Sequence, residues 1–147
     1  CRQITRVVKA LHDEAKQLSP KLKMSAAVFG SYPSCRESVG QDWPEWIKAG
    51  WLDFVCPMDY TESDETFCSL VENQMGLVAG RIPVYPGIGA TASRSSLAAD
   101  RVVGQIYHAR RLDAAGFTIF NFSQEVAEAI LPGVGVGAGA QRAQTAH

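Results

Sequence analysis

The stretch Trp51-Leu-Asp-Phe-Val-Cys-Pro-Met-Asp-Tyr60 holds the residues best placed for chemistry. Apolar Leu52, Phe54, Val55 and Cys56 give way abruptly to Pro57, Met58, Asp59 and Tyr60. A short apolar run after a glycine and before a helix-start signal predicts a buried parallel strand. In α/β folds ligands bind at the carboxyl ends of strands, which puts Asp59 and Tyr60 on the functional edge. Apolar neighbours would raise the pKa of Asp59, as a general acid needs, and a cation would lower it. The other reading of Asp59 is a buried acid hydrogen-bonded to loop backbone.

Other reactive types fall into place around it. Asp42 and Glu37 sit in or beside a long loop, and Asp42-x-x-Glu45 also reads as a capping box. Four cysteines (Cys1, Cys35, Cys56, Cys68) form no C-x-x-C pair and have no histidine at zinc spacing, so no metal and no cofactor is expected. His12 falls on the polar side of a helix and His108 late in another, both suited to the surface. Gly87-Ile-Gly89 followed by small residues is a weak phosphate-loop candidate, with Asn121 to Ser123 as its partner loop.

The elements that must position these groups follow from periodicity. Ile4, Val7, Val8, Leu11, Ala15 and Leu18 recur at helical spacing until Pro20 stops the run. Strands are expected near 23–29, 52–58, 82–87 and 117–121. Helices are expected from Asp42, from the acid-rich Thr61-to-Glu65 start, from Ser95 or Ser96, and from Gln124 to Leu131. Ala49-Gly50, Ala79-Gly80 and Ala115-Gly116 place the same punctuation before three strands, as the short turn of a βαβ architecture does. Strand exits about thirty residues apart match one βα unit, so the sheet should be parallel. From 132 to 147 the chain is rich in Gly, Ala and Gln without periodicity, and is expected to be a disordered tail after a domain spanning 1–131.

The bounds agree with one domain. The chain has 147 residues, 46% hydrophobic and 20% charged, with a net charge of -1. Near-neutral charge argues against nucleic acid as a partner, and no apolar run approaches the roughly 18 residues of a membrane span. The chain starts at Cys1 inside a helical pattern, as a processed, trimmed or incomplete sequence would.

Gln41-Asp-Trp-Pro-Glu-Trp-Ile-Lys-Ala-Gly-Trp-Leu-Asp-Phe-Val-Cys-Pro-Met-Asp-Tyr60 resembles the family-10-like glycosyl hydrolases of bacteria, the "glycosyl hydrolase-like 10" barrels. The likeness extends through Ile4-Thr-Arg-Val-Val8, Met24-Ser-Ala-Ala-Val-Phe29, Arg81-Ile-Pro-Val-Tyr-Pro-Gly-Ile-Gly-Ala90 and Ala115-Gly-Phe-Thr-Ile-Phe-Asn121. It implies a TIM-type (β/α)8 barrel of which this chain is the C-terminal (β/α)4 half, strands five to eight. The fourth-strand motif, with another acidic candidate, would then precede Cys1. It implies hydrolysis of O-glycosidic bonds in a bacterial or environmental glycan, and an extracytoplasmic or cell-envelope location.

Glycoside hydrolysis usually needs two carboxyl groups roughly 5–9.5 Å apart. Only Asp59 stands at a strand end itself, and it is expected to be the principal catalytic or substrate-binding acid of this half, pointing into the cleft with Tyr60 beside it. Tyr32, Tyr60, Tyr85, Asn121 and Phe122 would ring the mouth, Trp43 (or Trp46) could stack on a sugar, and Arg36 could meet an anionic substituent or pin its own loop. Two rivals stand beside this expectation: a non-catalytic carbohydrate-binding or scaffold barrel remnant, and a phosphate-binding barrel enzyme. A half barrel would also leave two sheet edges and an apolar interior uncovered, so self-association is expected.

Overall fold

A computed structural model describes residues 1–140. In chain order the elements are α1 (Arg2–Leu18), β1 (Ser25–Phe29), α2 (Ser34–Ser38), α3 (Trp43–Lys48), β2 (Phe54–Met58), α4 (Asp64–Val78), β3 (Gly87–Gly89), β4 (Thr91–Ala92), β5 (Ser95–Ser96), α5 (Ala99–Arg111) and β6 (Thr118–Phe120). A π-helical turn (Val126–Ile130), α6 (Leu131–Val136) and a 3-10 turn (Ala138–Ala140) follow. Strands β1, β2, β3 and β6 form one all-parallel sheet in that order, and β4–β5 is a small antiparallel hairpin. The alternation of helices with four parallel strands agrees with the reading of the sequence. The third strand starts later than expected: Val84 makes a single bridge to Val55 before β3 proper begins at Gly87.

Alternation along the strands sorts side chains onto two faces. Val28, Val55, Val84 and Ile88 are buried against the helices, in two clusters centred on Trp43, Trp46 and Val78 and on Phe67, Val102 and Ile106. On the other face Ala27, Phe29, Thr118 and Phe120 are exposed and Phe54, Cys56 and Met58 half-buried. This face is the open one.

The punctuating Ala-Gly pairs divide into two kinds. Gly50 (φ 75°) and Gly80 (φ 71°) take the left-handed conformation that ends a helix. Before β6 that role falls to Asp113 (φ 58°), because α5 stops at Arg111. Gly116 serves a different need: a Cβ there would meet the Tyr85 ring at 2.9 Å.

Three expectations are corrected. Asp42 occupies the N-cap of α3 but its carboxylate makes no capping hydrogen bond, because Tyr32 and Arg36 claim it. Neither Ser95 nor Ser96 caps α5; Ala98 stands at its N-cap, and the serines are spent on the β4–β5 hairpin. Residues 132–140, expected as disordered tail, are helical with Val134 and Ala138 buried. Small residues let this segment lie close on α5, where a Cβ at Gly133 would meet that of Ala99 at 3.0 Å. The rest of the expected tail, 141–147, lies outside the described residues.

Candidate functional site

Asp59 leaves β2 in register with Val55 and Pro57, so it turns toward the helices and is fully buried. Its amide donates to the Gly87 carbonyl at 3.2 Å. Its Oδ1 accepts a 2.6 Å hydrogen bond from Gln74 Nε2, which also donates to the Gly30 carbonyl at 3.1 Å. Gly30 is obligatory here, since a Cβ at that position would collide with Asp59 Oδ1. Asp59 Oδ2 and Gln74 Oε1 are buried without a partner. Loss of hydration pushes the Asp59 carboxyl up to about 7, and the Gln74 hydrogen bond offsets only part of this. The carboxyl is therefore a proton holder near neutrality, enclosed between a strand exit and a helix. It does not open into a cleft beside Tyr60.

Tyr60 points the other way. Its ring stacks on Phe120 (centroids 5.1 Å apart, planes at 22°), joining the exits of β2 and β6 across β3. The intervening glycines make this possible. A Cβ at Gly87 would meet Tyr60 Cε1 at 3.2 Å, and one at Gly89 would meet Tyr60 Cβ at 2.9 Å and collide with Ser95 Oγ. The G-x-G spacing thus accommodates the chain's own side chains, and the Gly89 carbonyl accepts from Ser95 Oγ at 2.6 Å. Asn121 Oδ1 accepts from Thr91 Oγ1 at 2.9 Å, and Phe122 is 84% exposed.

A second group forms around the loop after β1. Asp42 accepts from Tyr32 Oη at 3.2 Å and from Arg36 Nε at 2.8 Å. Arg36 pins its own loop. Burial, with Asp42 adding to it, raises the Tyr32 phenol. Trp43, a candidate sugar platform, and Trp46, the alternative to it, are both core residues: Trp43 is completely buried with Tyr32 edge-on at 5.8 Å, and Trp46 Nε1 donates to Thr5 Oγ1 at 3.1 Å. Tyr85 stands edge-on to Phe54 at 5.5 Å, upstream of β3 and away from the strand exits.

The structure therefore brings together Tyr60 and Phe120, and separately Tyr32, Arg36 and Asp42. It sets Asp59 behind the sheet and withdraws Trp43 from solvent. Gln74 and Phe120 were not anticipated. Gln74 had a signal: it interrupts the apolar stripe Phe67, Val71, Val78 at helical spacing, the place for a polar residue with a buried partner. Phe120 was legible only as part of a strand. Among the described residues no cluster of His, Cys, Asp or Glu could hold a metal ion, and no helix is long and apolar enough to cross a membrane. Compared with known proteins, the chain matches no family model and no curated sequence.

Proposed function

We propose that the chain is the (β/α)4 wall of a glycosyl hydrolase-like (β/α)8 barrel, acting on O-glycosidic bonds of a glycan. In this reading its own share is sugar binding. The observation that carries the reading is the Tyr60–Phe120 aromatic pair on the open face at the strand exits, with Phe122 exposed beside it in sequence. Sugar rings present C–H faces that pack on exposed aromatic rings, whose apolar surface is removed from water by the contact. Asp59 lies on the opposite face of the sheet with a raised pKa; it positions the exit that Tyr60 continues, and the proton-transferring carboxylates come from elsewhere in the barrel. The phosphate reading loses its support where Tyr60 and Ser95 fill the space of Gly87 and Gly89.

Titration of the chain with cello-, xylo- and chito-oligosaccharides tests this by calorimetry. One series should bind, and Tyr60→Ala and Phe120→Ala should each weaken it about fivefold to tenfold. Asp59→Asn should change the dissociation constant by less than about twofold. Absence of binding to every series refutes the reading. Loss of binding in a folded Asp59→Asn variant would return Asp59 to direct contact with the sugar.

A further inference from the structure

Helices α4 and α5 turn complementary flanks to each other. Asp64, Cys68 and Glu72 recur every fourth residue along one flank of α4. Arg101, His108 and Arg111 lie along the facing flank of α5, which ends at its cap Leu112. At one end of this groove the charges answer each other: Arg101 Nη2 donates to Asp64 Oδ1 at 3.2 Å, and His108 Nε2 stands 4.0 Å from Asp64 Oδ2. Farther along they do not. Glu72 and Arg111 join no ion pair among the described residues. A cavity of about 250 Å³ opens there instead, lined by Cys68, Glu72, His108, Arg111 and Leu112.

We propose that this cavity binds a free α-amino acid with an apolar side chain. Its carboxylate pairs with Arg111 and its ammonium group with Glu72. Its side chain lies on Leu112 and the Cys68 sulfur. The site is on the helical layer, away from the open face of the sheet.

Charge, size and the character of the thiol select this occupant. A simple anion would answer Arg111 and leave Glu72 facing it, and a simple cation would do the reverse. A zwitterion answers both. The guanidinium offers paired N–H donors that match a carboxylate, and the Glu72 carboxylate accepts from an ammonium group. Drug-sized ligands fill about 300–1,000 Å³, so the cavity suits a smaller molecule. Cys68 supplies an apolar contact and not a nucleophile: burial raises its thiol, Glu72 and Asp64 add to the rise and Arg111 opposes it, so the sulfur keeps its proton at neutral pH. Glu72 and Arg111 are exposed, so water screens both pairs and the affinity is expected in the millimolar range.

Protection of Cys68 from alkylation by iodoacetamide, read by mass spectrometry of its peptide, tests the proposal, which does not rest on carbohydrate binding. Exposed Cys1 is the internal reference. At about 20 mM, L-leucine, L-isoleucine or L-valine should slow alkylation of Cys68 by roughly threefold or more and leave Cys1 unchanged. Isocaproate lacks the ammonium group and isoamylamine lacks the carboxylate, so each should leave the rate within about 20%. Arg111→Gln and Glu72→Gln, both at exposed positions, should each lose the protection when the variant is compared with itself without amino acid. No protection by any of the three amino acids overturns the proposal. So does protection that survives both substitutions, or protection by isocaproate equal to that by leucine.

Discussion

Asp59 couples protonation to folding in a direction opposite to that of an ordinary surface carboxylate. Its folded pKa of about 7 lies above the usual 3.8, so between these values the folded chain holds a proton that the unfolded chain releases. Stability is unaffected by this group below about pH 4, falls as pH rises from 4 to 7, and stays reduced above 7. Three units correspond to on the order of 4 kcal/mol. Asp59→Asn keeps the shape and removes the titration. It should unfold at a higher denaturant concentration than the parent chain at pH 8, match it at pH 4, and lose most of the slope between. Equal slopes in the two proteins would show that the carboxyl is hydrated in solution. Asp53 works in the ordinary direction: hydrogen bonds from the Met24 amide and from Lys23 and Lys16 lower it to about 2, and its contribution is lost as pH falls from about 4 toward 2. The strand-exit position of Asp59 was legible from the apolar run before it. Its facing was not. Parity along a strand whose two faces both carry apolar residues does not say which face meets the helices.

Helices α4 and α5 each bury one glutamine that reaches back to an earlier strand exit. Gln74 Nε2 donates to the Gly30 carbonyl after β1, and Gln105 Nε2 donates to the Thr61 carbonyl after β2 at 2.9 Å. Both side chains are fully buried, and each leaves its Oε1 without a partner. A lost donor would strand a loop carbonyl, which costs about 1–3 kcal/mol. Gln105→Leu should therefore lower stability by about 1–2 kcal/mol in urea unfolding, although it removes a polar group from the core. A change below about 0.3 kcal/mol would show that solvent replaces the bond. The helices themselves were legible at their starts: the Ser63 hydroxyl accepts from the Thr66 amide at 3.1 Å, with Asp64 and Glu65 in the first turn, as the acid-rich start implied. The Asp42 cap was misread because a cap residue and a loop anchor have the same composition. Only the neighbours Tyr32 and Arg36 distinguish them.

At the scale of the whole molecule, the parallel order β1-β2-β3-β6 was readable because each crossover brings the chain back through the same length and the same turn. The closing turn before β6 escaped that reading. Its Ala115-Gly116 looks like the other two pairs, but there glycine makes room for the Tyr85 ring while Asp113 takes the left-handed turn. The helical segment 131–136 escaped for a related reason. Gly133 and Gly135 disfavour a helix by propensity, and contact with α5 overrides that preference.

The backward reach of Gln74 and Gln105 has a consequence for the order in which the molecule comes apart. The exit loops of β1 and β2 are each clasped by a helix that belongs to the next βα unit, so neither unit can loosen its loop without disturbing its successor. The exit of β3 is held locally through Ser95, and the exit of β6 is tied by the single Thr91–Asn121 side-chain bond rather than clasped by a following helix among the described residues. Opening should therefore run like a zip from the β6 flank toward β1. Native-state amide exchange reads this directly: amides beside Gly30 and Thr61 should exchange only with global opening, while those at Asn121 to Ser123 exchange through smaller, earlier openings. Uniform protection at all three exits would mean instead that the sheet opens as one unit.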